Sequence, residues 1–341
     1  MSAPKIVAVA TATPRWRYDQ DTLLRMAGYD DSQRAGFFAN SQIDGRHLYL
    51  DPATFTPDES VDQLQERFRR GALELAGAAV RRAVERAGWE LGQVDFLATT
   101  TCTGRLCPSL DAHLIGGLGL KPAVQRVHVG DTCCASAIVA LAQAHNHLRA
   151  FPRHRAVAVA VELCSAAYYL DDRLESAVAH AIFADGAGAV ALSCDGDGPS
   201  IIEHRTLFRS EHLPAMGFEY PGGRPRVVLS KEVRRIGGAM MKEMADTLMG
   251  SHGLKKEDVR HFVLHSAGRR VIEQARKLME LEEAQVAHSR QILRQFGNMS
   301  SATVVFVLDE VLRGGAPVPG DWGLMIALGP GFAAEGALLR W

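Results

Sequence analysis

The sequence has no excess of charge of either sign, with 38 Lys and Arg against 39 Asp and Glu in 341 residues. A chain without a basic field attracts neither nucleic acid nor an acidic membrane surface, so we expect no partner of either kind. It also lacks any run near the ~18 apolar residues that a membrane-spanning helix requires. Short repeats and low-complexity tracts are absent too, which argues against a solenoid or a disordered linker.

Paired cysteine motifs are a further absence. The sequence contains no CxxC pair and no Cys/His spacing typical of zinc, so we expect no metal site. A disulfide framework is not expected in a chain of this length, and a reduced, cytoplasmic setting is the default. The six cysteines are Cys102, Cys107, Cys133, Cys134, Cys164 and Cys194.

Strand-like and helix-like segments alternate twice along the chain, which predicts an α/β fold with long apolar strands covered on both faces. The turn-rich stretch "DGDGPS" suggests a seam near residue 196, between halves 1–196 and 197–341. The clearest helix follows Ser60 and ends before Gly88. We expect "AVAHAIFADGAGAVALSC" to form a Gly-interrupted strand and "FFANSQIDGRHLYLDP" to form a surface loop.

The stretch from Val124 to Leu148 predicts a short strand, a tight turn with two adjacent cysteines and an Ala-rich helix. A thiol at a helix N-terminus is favoured as the thiolate, because the unpaired N–H groups and the helix dipole are positive there. Cys134 is therefore a candidate nucleophile. The alternative is that both cysteines are small core residues, as free cysteines usually are.

Two polar residues stand where α/β folds place function, in loops that follow strands or open helices. His265 ends "HFVLH" and could take up a thiol proton. Asn298 in "FGNMSS" could donate hydrogen bonds to a developing oxyanion. Each has a structural alternative, since a lone histidine is often a hydrogen-bonded core residue and asparagine often caps a helix.

Several segments, in order, resemble the type III polyketide synthases, the chalcone-synthase-like members of the thiolase superfamily. The resemblance is carried by "CTGRLCPSLDAHLIGGLGL", Cys134, "FADGAGA", "VLHSAGRR", "FGNMSSATVVFVLDE" and "LGPGFAAE". It covers nearly the whole chain and is strongest to bacterial members. It implies a thiolase-like fold of two similar βαβαβαββ halves in a five-layered αβαβα core, and a homodimer.

The same resemblance implies an iterative decarboxylative condensation of malonyl-CoA on a cysteine-bound acyl thioester. The substrates would be malonyl-CoA and an acyl-CoA starter, with no cofactor beyond these CoA thioesters. Cyclisation would give a resorcinol-type or other phenolic product, or a pyrone. The bacterial subtype suggests malonyl-CoA as sole substrate.

Carried over residue by residue, the family implies a Cys-His-Asn triad of Cys134, His265 and Asn298. Phe183 falls at the position of a gatekeeper between the CoA tunnel and the reaction cavity. Val227 falls near a second gatekeeper position that is aromatic in relatives, so the tunnel mouth is expected to differ. Arg46 would meet CoA phosphates, or be a solvated surface arginine.

Other positions match residues that line the cavity in relatives. The initiation-pocket positions are Cys102, Thr103 and Cys107. Further cavity positions are Cys164, Ala167 and Ser300. A "GPG" loop of Gly329, Pro330 and Gly331 would shape the wall beside an oxyanion site that includes the backbone N–H of Cys134.

The choice between the two adjacent cysteines rests on register. Relatives carry Gly before the nucleophile. Matching Cys133 to the nucleophile of the family requires two compensating one-residue shifts between this sequence and the family pattern. The gap-free register assigns Cys134, and Cys133 then replaces that Gly. If the turn needs a positive φ there, Cys133 is strained.

Two other functions remain open from the residues alone. One is the single condensation of a β-ketoacyl carrier-protein synthase III, which shares the Cys-His-Asn set. The other is a catalytically silent acyl-CoA-binding scaffold in which the cysteines only pack.

Overall fold

The structure is a computed structural model that describes residues 3–56, 58–130, 132–168 and 171–341. Within these residues the chain forms thirteen strands and ten α-helices. The strands are β1 Lys5–Ala12, β2 Arg17–Tyr18, β3 Arg46–His47, β4 Phe96–Thr101, β5 Gln125–Gly130, β6 Ala156–Leu163, β7 Asp185–Ser193, β8 Ser200–Phe208, β9 Met216–Glu219, β10 Arg226–Leu229, β11 Val259–Leu264, β12 Trp322–Gly329 and β13 Ala333–Arg340. The helices are α1 Gln20–Ala27, α2 Ser32–Ala39, α3 Val61–Arg86, α4 Leu110–Leu118, α5 Ser136–Ala150, α6 Leu174–Ile182, α7 Val233–Ser251, α8 Arg269–Leu278, α9 Ala287–Phe296 and α10 Ser301–Gly314.

Nine of the described strands form one mixed sheet in the order β11-β12-β13-β8-β1-β7-β6-β4-β5. Strands that precede residue 196 occupy one side of this order, and later strands occupy the other. The two groups meet where Lys5 of β1 pairs with Ser200 of β8. The proposed boundary at residue 196 falls between β7 and β8, although the independence of the two halves stays a prediction.

Helices cover this sheet in layers. α3 packs against β1, β6 and β7 on one face, and α5 packs on β4 and β6. α10 contacts β7 on one side and β11 on the other, so α5 and α10 form a central layer between the two groups of strands. α7 packs against β12 and β13 and also contacts α8, so these two helices form an outer layer. The expected five-layered αβαβα, thiolase-like core is confirmed.

α3 is the prediction that the sequence supported best, and it is confirmed. Ser60 accepts a hydrogen bond from the Gln63 N–H while the Gln63 side chain accepts one from the Ser60 N–H, so a capping box starts the helix. At Gly71 an added Cβ would lie 2.7 Å from Leu163 Cδ1 of β6. The absent side chain lets the helix approach the sheet closely.

The run "AVAHAIFADGAGAVALSC" is not a single strand, and that prediction is wrong. Its first part belongs to α6, and strand β7 starts only at Asp185. Ala-rich sequence favours a helix, and the buried positions of α6 have helical spacing. The turn between the two elements carries Phe183.

The segment expected to be a surface loop is also corrected. Leu48 and Leu50 are 0% and 2% exposed, and the Arg46 side chain is fully buried. Residues 46–50 are buried or half-buried, and Tyr49 N donates to the buried carboxylate of Asp185 at 2.6 Å, whereas Asn40, Gln42 and Asp44 are exposed. Among the described residues no helix is both long and apolar enough to cross a membrane.

Candidate active site

The two cysteines lie in the predicted strand–turn–helix. β5 ends at Gly130, a 3₁₀ turn covers Cys133–Ala135, and α5 starts at Ser136. Cys133 has φ +41°, in the left-handed region that favours glycine. Ser136 Oγ donates to the Cys133 carbonyl at 2.7 Å and helps to hold the turn. The expected strain at Cys133 is confirmed.

A largely apolar cavity of about 50 Å³ lies beside this turn. Nine residues that were expected near the site line it: Cys102, Thr103, Cys134, Cys164, Ala167, Phe183, Val227, Ser300 and Pro330. Residues that sequence reasoning missed also line it: Cys133, Tyr168, Ala179, Met216, Gly217, Phe218 and Leu229. Cys133 is the neighbour of the candidate nucleophile, whereas the other six follow β6 or belong to the β9–β10 hairpin.

Ser300 links two thiols in this cavity. Its Oγ lies 3.3 Å from Cys134 Sγ and 3.5 Å from Cys102 Sγ. Ser300 precedes α10 and has φ +50°, which turns the chain sharply after Asn298. The serine hydroxyl therefore joins the candidate nucleophile to the wall formed by Cys102.

Asn298 is held by its own side-chain contacts. Its Oδ1 accepts from Ser300 N at 2.9 Å and from Thr303 Oγ1 at 3.3 Å, which assigns the amide orientation. Its Nδ2 donates to the Ala267 carbonyl at 3.2 Å. An amide nitrogen has two protons, so one N–H remains available to a ligand.

His265 follows β11 and is 1% exposed. Its backbone N–H donates to the Ile326 carbonyl at 2.9 Å, which fixes the residue to β12. Neither ring nitrogen has a hydrogen-bond partner within the part of the chain that the structure describes. Both ring nitrogens therefore keep their capacity to donate or accept a hydrogen bond.

Burial sets the charge states of the thiol and the imidazole. It raises the pKa of Cys134, an effect opposed by the hydrogen bond with Ser300. It also lowers the pKa of His265 to about 4. Burial therefore favours the neutral thiol and the neutral imidazole, against the thiolate that the helix N-terminus favours. Desolvation outweighs the helix dipole here.

Glu162 is a further residue that sequence reasoning missed. It is fully buried at the end of β6, and burial raises its pKa. Its carboxylate accepts from Ser301 Oγ at 2.5 Å, from Thr103 Oγ1 at 2.9 Å and from Cys102 N at 3.1 Å. Glu162 thus fixes one wall of the cavity.

No group of three His, Cys, Asp or Glu side chains that could hold a metal ion occurs among the described residues.

Comparisons with known proteins decide the family. A model described as "FAE1/Type III polyketide synthase-like protein" matches residues 45–267, and one for the C-terminal part of 3-oxoacyl-[acyl-carrier-protein] synthase III matches residues 249–341. The chain is 31% identical to 3,5-dihydroxyphenylacetyl-CoA synthase of Streptomyces toyocaensis, over 99% of this chain and 90% of that protein. The chain belongs to the type III polyketide synthases.

Other relatives agree. The chain is 30% identical to 1,3,6,8-tetrahydroxynaphthalene synthase of Streptomyces peucetius subsp. caesius, over 98% of this chain and 93% of that protein. The crystal structure of PKS-I from the brown alga Ectocarpus siliculosus superposes with a TM-score of 0.91 at 28% identity, covering 100% and 98% of the two chains. The polyketide synthase interpretation is thus favoured over a single-condensation synthase or a silent scaffold, and the protein is an acyltransferase.

The cavity of this polyketide synthase is lined by an aromatic residue that the sequence did not reveal. Val227 of β10 lines the cavity as expected, and in the hairpin register it pairs with Phe218 of β9, which also lines the cavity. The Phe218 ring therefore lies on the strand opposite Val227, the position at which this sequence lacks an aromatic residue. Only the register of the two strands reveals this pairing.

Val227→Phe is expected to narrow the mouth and to disfavour bulky starters. We expect kcat/KM for a long-chain acyl-CoA to fall about 10-fold or more relative to that for acetyl-CoA, in the range that pocket crowding gives. Val228→Phe is the matched control, because Val228 does not line the cavity and its neighbours Val227 and Leu229 do. Equal changes in both variants would show that Val227 does not shape the entrance.

Three of the expected site residues, Cys107, Gly329 and Gly331, are not among the residues that line the cavity. Cys107 is exposed in the loop before α4 and does not line the cavity of its own chain, so its place in an initiation pocket stays a prediction. At Gly329 an added Cβ would lie 2.6 Å from the Thr132 carbonyl, so this loop packs directly on the cysteine turn. Gly331 has φ +67° and is not a cavity residue.

Arg46 does not contact CoA phosphates, and that prediction is wrong. Its side chain is 0% exposed, and its guanidinium donates to groups inside the protein. Arginine in a loop-like sequence is ordinarily solvated, and no local pattern signals its burial.

Proposed function

We propose that Cys134, His265 and Asn298 carry out iterative decarboxylative condensation of malonyl-CoA. In the loading step Cys134 Sγ attacks the thioester carbonyl of an acyl-CoA. The thiol proton passes to the neutral, unpartnered imidazole of His265, and CoA leaves as the acyl group becomes attached to Cys134. The ring is in its neutral, unprotonated form at pH 7, because burial lowers the pKa of His265 to about 4.

In the extension step His265 and the remaining N–H of Asn298 donate to the thioester oxygen of malonyl-CoA. The malonyl carboxyl leaves as CO2, and the electron pair of the broken C–C bond forms an enolate whose oxygen these donors stabilise. The enolate carbon attacks the Cys134 thioester, a C–C bond forms and the Cys134 sulfur is released. The backbone N–H of Cys134, beside the Gly329–Gly331 loop, is the proposed donor to the second oxyanion.

The observation that carries this proposal is the environment of Cys134. Cys134 and Phe183 line the same largely apolar cavity, and an apolar lining limits the water around a reactive polyketide. Because two relatives are named for 3,5-dihydroxyphenylacetyl-CoA and 1,3,6,8-tetrahydroxynaphthalene, we propose malonyl-CoA as the sole substrate and a resorcinol-type phenolic product.

Incubation with malonyl-CoA, alone and with a panel of acyl-CoA starters, tests the proposal by mass spectrometry of the products. Phenolic product from malonyl-CoA alone is the expected result. If product forms only when a starter is added, malonyl-CoA is not the sole substrate. If turnover occurs only with carrier-protein thioesters, the proposed function is wrong.

We also propose that the protein is a homodimer in the cytoplasm. β5 lies at one edge of the nine-stranded sheet, and its residues are exposed or half-buried while those of β4 and β6 are fully buried. An uncovered edge strand is an ordinary site for pairing with a second copy. The cysteines are all free, in keeping with a reducing setting. Sedimentation equilibrium is expected to give twice 37.0 kDa, and a particle of 37.0 kDa would contradict the dimer.

A further inference from the structure

Arg46 is an unusual residue to find at the centre of this protein. The side chain is fully buried, and among the described residues no carboxylate accepts a hydrogen bond from it. Its Nη2 has no hydrogen-bond partner among the residues that the structure describes. A buried cation without an anionic partner costs stability, so its retention calls for a role in holding other groups.

The groups that Arg46 holds are at the C-terminus of α6. Its Nη1 donates to the Phe183 carbonyl at 2.6 Å, and Tyr168 Oη donates to the same oxygen at 2.9 Å. Its Nε donates to Gln20 Oε1 at 3.1 Å, and Gln20 Nε2 in turn donates to the Ala181 carbonyl at 2.8 Å. A cation is favourable at this end of a helix, where the last carbonyls lack partners.

The same helix end is joined to the candidate catalytic amide. Asn298 N donates to the Ile182 carbonyl at 2.8 Å, and Ala184 N donates to the Asn298 carbonyl at 2.8 Å. Phe183 and Asn298 thus form a two-residue parallel bridge. At Gly297, an added Cβ would lie 2.8 Å from Arg46 Cδ, so the residue before Asn298 packs against the arginine stem.

We propose that Arg46 is a positioning residue that fixes the cavity-wall residue Phe183 and the candidate oxyanion donor Asn298 relative to each other. Arg46 touches neither substrate nor reacting atoms. Its planar fork reaches the Phe183 carbonyl and Gln20 at once, whereas a lysine would supply a single flexible point charge. The register of Phe183 and Asn298 decides whether an enolate formed by decarboxylation faces the Cys134 thioester.

This inference rests on the proposed function. It predicts that loss of Arg46 uncouples the decarboxylation of malonyl-CoA from the condensation that normally follows. In Arg46→Met we expect kcat for product formation to fall about 10- to 100-fold, the scale of a small misplacement of reacting groups. KM for malonyl-CoA should change little. Decarboxylation without condensation, seen as acetyl-CoA per molecule of product, should rise. The measurement is a time course of CO2, acetyl-CoA and product by mass spectrometry.

Arg67→Met is the matched control. The Arg67 side chain is also largely buried, at 9% exposure, and it donates to the Ser165 carbonyl at 2.9 Å and pairs with Glu59. It makes no described hydrogen bond to Phe183, Tyr168 or Asn298. Its loss should lower the urea midpoint of unfolding without changing the ratio of acetyl-CoA to product. A ratio that changes equally in both variants, or in neither, would overturn the role of Arg46.

Two milder variants keep the test decisive if Arg46→Met does not fold. Tyr168→Phe removes one of the two donors to the Phe183 carbonyl and keeps the ring, and Arg46→Lys keeps the charge. Both should show a smaller rise in the ratio, and an unchanged ratio in both would overturn the inference. If the parent protein forms no condensed product from malonyl-CoA, the proposed function fails instead, and the two failures are thereby distinguished.

Discussion

Replacing Cys134 with alanine is expected to abolish polyketide formation. Without the thiol there is no acceptor for the acyl group, so both loading and extension lose their covalent intermediate. Loss of a nucleophile that acts as part of a unit costs about 10³-fold or more in kcat. The measurement is product formation from malonyl-CoA under conditions where the parent is linear with time.

The matched control is Cys133→Gly, at the adjacent position. Glycine accepts the φ of +41° that Cys133 adopts, so the substitution relieves strain while making the unfolded chain more flexible. The two effects oppose each other, and we expect stability within about 1 kcal/mol of the parent. Activity should persist. An inactive Cys133→Gly beside an active Cys134→Ala would reverse the assignment of the nucleophile.

Asn298→Asp and His265→Gln are expected to separate two steps of the reaction, the acylation of Cys134 and the decarboxylation of malonyl-CoA. Aspartate still accepts from Ser300 N and Thr303 Oγ1 but offers no N–H to the enolate oxygen. Loss of one oxyanion donor typically costs about 10²–10³-fold. Asn298→Asp should therefore still acylate Cys134 from a starter acyl-CoA and should lose decarboxylation.

His265→Gln keeps a hydrogen-bond donor of similar size and loses the proton acceptor. We expect it to slow the acylation of Cys134 as well as the release of CO2. Intact-protein mass spectrometry follows acylation, and gas release from malonyl-CoA follows decarboxylation. Normal acylation in His265→Gln would show that another group takes the thiol proton, and normal decarboxylation in Asn298→Asp would remove Asn298 from the oxyanion site.

The fold could be predicted wherever local signals agree with burial. α3 has a capping sequence, an apolar stripe and a terminal glycine, and its observed bounds follow those signals. The segment that ends in Phe183 was misassigned because short Ala- and Gly-rich runs suit helix and strand alike, and only tertiary packing selects between them. The layer order came from the family resemblance, since periodicity does not determine which strands become neighbours.

Sequence motifs alone single out Cys134, His265 and Asn298 as the candidate site, and their catalytic role stays a prediction. The residues around them depend on the fold and were predicted only in part. Phe218 was missed because its place opposite Val227 depends on hairpin register. Arg46 was misassigned because a charged residue gives no sequence signal for burial, and the Phe183 carbonyl that it binds lies 137 residues away along the chain.

The most direct test of the central claim is to identify the residue that carries the acyl group. The protein is incubated with an acyl-CoA starter, quenched in acid and digested, and the acylated peptide is sequenced by tandem mass spectrometry. We predict a single thioester on Cys134, which is lost in Cys134→Ala and retained in Cys133→Gly. An adduct on Cys133 or Cys102, or no adduct while product still forms, would contradict the account.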